Sequence, residues 1–66
     1  MITIMKIERI KRGQSQQDIA RATKIPRSIY SMIETGRLMP TDTQSKKLEE
    51  IYQKPVEKLL QRVKEA

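Results

Sequence analysis

Residues 15–36, SQQDIARATKIPRSIYSMIETG, decide the fold of this chain. Ser15 is a good helix N-cap, and Asp18 follows three residues later in the first turn, where the helix dipole favours a negative charge. Ile19 and Thr23 then recur one turn apart and point inward, and Ala20 is small where two helix axes must come close. This predicts a helix over residues 16–23. Pro26 suits the start of a helix and forces Ile25 into an extended conformation. A second helix is predicted over residues 27–35, closed by Gly36. Tyr30 and Ile33 form its inward stripe, with Ile25 just before it, while Arg27, Ser28, Ser31 and Met32 fall on other faces. The pair is two short helices around a tight turn, the second apolar on one side and small, polar or cationic on the other.

The same punctuation organises the rest of the chain. Gly13 and Gly36 stand where helices should stop, and Pro26, Pro40 and Pro55 stand where they should start. A helix over residues 4–12 has Met5 and Ile10, with Ile7 beside them, as its apolar side; Lys6, Glu8, Lys11 and Arg12 face water. Gly13 closes it as a left-handed cap. A fourth helix is expected over residues 42–53, with Thr41 as N-cap and Leu48, Ile51 and Tyr52 inward. A fifth is expected from Pro55 to about residue 64, with Val56, Leu59, Leu60 and Val63 at helical spacing. Residues 1–4 alternate like a strand but are too few to assign one. The expectation is an all-α, compact five-helix domain occupying residues 1–66.

Composition narrows the function classes. A chain of 66 residues makes one domain at most, with a small core. Cysteine and histidine are both absent, which removes disulfides, thiolate metal sites, the commonest general base and the commonest metal ligand. No nucleophile–base pair stands out, so an enzyme is not expected, and no cofactor or metal is expected either. Fourteen Lys plus Arg against eight Asp plus Glu give a net charge of +6. That balance fits a polyanionic partner, either nucleic acid or an anionic membrane, and equally a soluble, self-repelling surface. No apolar run approaches the ~20 residues of a membrane span. The opening MITIMKIERIKRG has too short an apolar stretch for a signal peptide, with charges following at once. A cytoplasmic protein encoded by a bacterium, phage or plasmid is the simplest reading.

On these residues the chain resembles the lambda-repressor-like, or Cro/C1-type (XRE family), helix-turn-helix domain. The points of resemblance are Arg9, Gly13, Ser15, Gln16, Ile19, Ala20, Arg27, Ser28, Tyr30, Ile33, Glu34, Gly36, Pro40, Leu59 and Leu60. The run SQQDIA followed after a turn by RSIYSMIETG is fairly specific, whereas isolated pieces such as ETG are not. The resemblance implies that the helix beginning at Arg27 reads base edges in the major groove of double-stranded DNA.

It also assigns roles. Base-reading residues would be Arg27, Ser28, Ser31 and Met32. Arg27 can pair with guanine O6 and N7 or grip a phosphate, Ser28 can reach either, and Met32 either meets a thymine methyl or packs half-buried. Ile29 is open between a DNA contact and sideways packing. Phosphate-binding residues would be Ser15, Gln16 and Gln17 at the first helix of the motif, and Thr35, Arg37 and Thr41 after the second. Lys46 and Lys47 add long-range attraction or simply a solvated face. Arg9 and Glu34 correspond to a structural ion pair tying the first helix to the end of the third. The implied function is a sequence-specific transcriptional regulator, a repressor acting as a homodimer on a palindromic operator, because one small module buries too little surface for tight binding. Val56, Leu60 and Val63 are its candidate dimer interface, or else they only close the core. The alternative is a protein-binding module such as an antitoxin or anti-regulator, and a regulatory partner protein fits either reading.

Three positions depart from the family pattern. Lys24 stands where the turn usually has glycine, which costs about 1–2 kcal/mol if it is left-handed. Pro26 replaces the usual Ser or Thr cap, losing about 0.5–2 kcal/mol and threatening to shift the start of the reading helix by a residue. Asp42 and Ser45 replace aliphatics, which thins the core there.

Overall fold

Helices start in this protein where a side chain can accept an orphan N–H or where proline has none to satisfy. A computed structural model describes residues 2–64. The elements run β1 (Ile2–Thr3), α1 (Ile4–Lys11), α2 (Gln16–Thr23), α3 (Arg27–Glu34), α4 (Asp42–Tyr52), α5 (Val56–Leu59) and β2 (Arg62–Val63). Thr3 caps α1 by accepting the Lys6 N–H. Ser15 with Asp18 and Thr41 with Gln44 form reciprocal capping boxes on α2 and α4. Pro26 and Pro55 precede α3 and α5 without a side-chain cap. Pro26 does not shift the start of α3, whose first residue is Arg27.

The helices enclose one core of Met5, Ile19, Ile25, Tyr30, Ile33, Leu48, Tyr52 and Leu59. Burying such side chains contributes about 1.5–3 kcal/mol each and drives the packing. At its centre the hydroxyls of Tyr30 and Tyr52 lie 2.8 Å apart, so each buried phenol is satisfied by the other. Ala20 and Thr23 are also buried, the Thr23 hydroxyl donating to the Ile19 carbonyl at 2.7 Å.

Several expectations need correction. Ile10 is 56% exposed, because it lies roughly 140° round the helix from Met5, outside the inward stripe. Arg9, only about 40° from Met5, takes the inner position instead. Arg12 does not simply face water. It bonds Glu8 at 2.7 Å, donates to the Tyr52 carbonyl at 3.3 Å and lies 5.2 Å from the centre of the Tyr52 ring. It thus pins α1 to the C-terminus of α4.

The largest correction concerns the chain's last elements. The helix expected up to residue 64 stops at Leu59, and residues 62–63 run antiparallel to β1, pairing Ile2 with Val63 and Thr3 with Arg62. The Ile4 N–H adds a bond to the Gln61 carbonyl at 2.9 Å. Continuing the helix would leave those N-terminal backbone groups without partners, and β-branched Ile2, Thr3 and Val63 suit a ladder. Val63 therefore does not lie on the face of α5, and the all-α domain carries one small two-stranded sheet.

Candidate nucleic-acid interface

The turn between α2 and α3 is built without glycine. Lys24 adopts φ 58 and its N–H bonds the Ala20 carbonyl. The extended Ile25 is buried, and its N–H bonds the same carbonyl at 3.2 Å. Ala20, 5% exposed, lets the chain turn tightly there.

α3 then divides cleanly. Tyr30, Ile33 and Glu34 are buried. Arg27, Ser28 and Met32 are exposed, Ser31 is half-exposed, and Ile29 is half-buried against the core. Four of the sequence-nominated base readers are thus accessible on one short helix, while Ile29 packs.

The C-terminal end of α3 is held from three directions. Arg9 in α1 makes a two-pronged contact with Glu34, its Nε donating to Oε2 at 2.9 Å and its Nη2 to Oε1 at 3.1 Å. Gln16 in α2 donates its side-chain N–H to the same Oε1 at 3.2 Å. The buried Thr3 hydroxyl donates to the Glu34 backbone carbonyl at 2.6 Å. Burial pushes the Glu34 carboxyl upward, but hydrogen bonds from Arg9, Tyr30 and Gln16, with the charge of Arg9, outweigh it and hold the group below the usual carboxylate range.

The nominated phosphate contacts fall in two groups. At the start of α2, the Ser15 oxygen accepts the Asp18 N–H at 3.1 Å, and Asp18 accepts the Ser15 N–H at 2.9 Å. That backbone bond, with the Ser15 hydroxyl, holds the Asp18 carboxyl low. The Ser15 hydroxyl proton is engaged with the Asp18 carboxylate, so it reaches an anion only by rotating away from it. Gln17 is exposed, and Gln16 keeps a carbonyl and a second amide hydrogen beyond its bond to Glu34. Beyond α3, Arg37 is exposed while its backbone N–H bonds the Met32 carbonyl at 2.8 Å. Thr41 is exposed, and its hydroxyl accepts from Gln44. Thr35 differs: its single hydroxyl proton is given to the Ser31 carbonyl at 2.9 Å, so in this rotamer it cannot donate to a phosphate. Lys46 is exposed and Lys47 half-exposed. Sequence reasoning overlooked Arg62, whose Nη2 lies 3.4 Å from the Gly36 carbonyl just after α3. No local pattern announces a contact between residues 26 positions apart.

Among the described residues no cluster of three or more His, Cys, Asp or Glu is placed to hold a metal ion, and no helix is long and apolar enough to cross a membrane.

A helix-turn-helix family profile matches residues 5–59. The chain is 39% identical over 46 residues to a Bacillus subtilis (strain 168) protein named as an uncharacterized HTH-type transcriptional regulator, YqaF. The aligned stretch is 70% of this chain, which spans 60% of that relative's length. No solved structure matches the chain significantly. With the profile covering most of the sequence over the very elements that present Arg27 and brace Glu34, this chain belongs to the Cro/C1-type helix-turn-helix family.

Proposed function

We propose that the chain is a sequence-specific regulator of transcription that binds double-stranded DNA through α3, with Arg27, Ser28, Ser31 and Met32 at base edges. One observation carries this reading: a helix buried along Tyr30, Ile33 and Glu34 leaves its arginine and serines accessible, on a chain of net charge +6. Gln16, Gln17, Arg37 and Thr41 fix the register through phosphates, and Ser15 and Thr35 join them only by rotating their hydroxyls away from Asp18 and Ser31.

The regulator acts as a repressor and as a homodimer on a palindrome, since a single module buries too little surface for tight specific binding. Val56, Leu60 and Val63 are all half-buried, and Leu60 packs against the monomer core, so they offer a partner only part of their surface. Selection of bound sequences from random duplexes tests the proposal. Enrichment of two inverted half-sites about one helical turn apart is expected. A single unsymmetrical half-site would remove the dimer, and no enrichment would remove sequence reading. Affinity should also fall with salt, with a log–log slope of about −0.9 per phosphate contacted.

A second reading, a protein-binding module such as an antitoxin or anti-regulator, is favoured by Leu38 and Met39, which are 40% and 75% exposed just beyond α3. A stoichiometric protein partner, together with no DNA binding at low salt, is the outcome that would select it.

A further inference from the structure

Gly36 follows α3 with φ 81, and the space that a Cβ would occupy there is filled by the guanidinium of Arg62. A Cβ at position 36 would push the flexible guanidinium aside, and the positive φ would strain the backbone of any residue but glycine. Arg62 reaches this position from the far end of the chain, and two connections hold it there. The β1/β2 ladder pairs Arg62 with Thr3, and the Thr3 hydroxyl is bonded to the Glu34 carbonyl. The strand that carries Arg62 and the last residue of α3 are therefore joined through one side chain.

The guanidinium is exposed and under-used. It makes one long bond, from Nη2 to the Gly36 carbonyl at 3.4 Å, out of the five N–H donors it carries. Among the described residues the ion pairs involve Glu8 and Glu34, and neither reaches Arg62. Its neighbours in sequence around Gly36 are Thr35 and the exposed Arg37. The location also has an electrostatic logic. Carbonyls at a helix C-terminus carry partial negative charge, which repels phosphate. A guanidinium against the Gly36 carbonyl offsets that repulsion at the point where the chain leaves the DNA-reading helix.

We infer that Arg62 is a DNA-backbone contact, delivered by β2 to the end of α3 and acting beside Arg37 on one phosphate or on adjacent phosphates. The inference rests on the DNA-binding reading above and extends it to a residue outside the helix-turn-helix. The planar fork of arginine suits a phosphate, and such a contact adds affinity and orientation without reading sequence.

The test uses the full chain, a labelled duplex of mixed sequence and the duplex obtained by selection. Binding is titrated across salt for the wild type, Arg62→Gln and Arg62→Lys, with urea unfolding run in parallel. Arg62→Gln should bind both duplexes more weakly by the same factor and make the salt slope shallower by about 0.9. Between about 50 and 200 mM salt the wild type should then lose about three- to fourfold more affinity than Arg62→Gln. Arg62→Lys should restore the slope. If the wild type binds with a steep salt dependence and Arg62→Gln keeps that slope, this inference fails alone, and a lowered urea midpoint with an unchanged slope would mark Arg62 as a tie within the fold only. If the wild type shows no salt-dependent duplex binding, the DNA-binding reading fails and takes this inference with it.

Discussion

At the scale of single residues, α3 separates exposed side chains from bracing ones. Arg27 is exposed on the first turn of α3 and has no ion-pair partner among the described residues to give up. Arg27→Ala should weaken specific binding by about 1–3 kcal/mol and relax selectivity at one base position, as read from titrations against single-base variants of the selected duplex. Unchanged selectivity would mean that another residue reads that base. Glu34 works the other way. Its side chain is 1% exposed and paired with an Arg9 side chain that is 13% exposed. Glu34→Gln strands the Arg9 charge and should cost about 3 kcal/mol in urea unfolding, toward the low end for a broken buried pair because Arg9 keeps some water. A loss within experimental error would show that Arg9 finds water or another acceptor without strain.

At the scale of elements, Lys24 marks where sequence and structure agree at a price in backbone strain. It takes the left-handed conformation usually given to glycine, so Lys24→Gly should raise stability by roughly 0.5–1 kcal/mol, the relief of steric strain less the extra chain entropy of glycine. Calorimetry would check it, and a loss of stability would mean the lysine side chain does more than its geometry indicates. Elements defined by local chemistry were legible in advance. The capping residues Ser15 and Thr41, the stops at Gly13 and Gly36 and the stripe of Tyr30 and Ile33 all act within one or two turns. The second strand was not legible, because Val56, Leu59, Leu60 and Val63 fit a helix equally well. Only the pairing with residues 2–3, some sixty positions away, decides against it. Ile10 was misread for a different reason: in an eight-residue helix the inward stripe has room for few positions, and the ion pair took one of them.

At the scale of the molecule, pH acts through the network around Glu34. The folded protein holds this carboxyl below its ordinary value of 4.5, so the unfolded chain takes up the proton first. The stability it contributes is fully present above about pH 4.5 and is lost as pH falls through the folded value. Urea midpoints should therefore decline on acidification below that point, and the decline should shrink in Glu34→Gln; an equal decline in both would assign the acid sensitivity elsewhere. The two tyrosines carry the complementary consequence at high pH. They are the chain's only aromatic residues, they touch through their hydroxyls, and burial pushes both phenols above their usual 10. Neither can ionise readily until α3 and α4 part, so stability is lost as pH rises past the unfolded value. Tyrosinate absorbance should accordingly appear as one cooperative step coincident with the loss of helical circular dichroism. With no tryptophan to obscure it, the protein carries a built-in optical gauge of whether α3 is seated against α4.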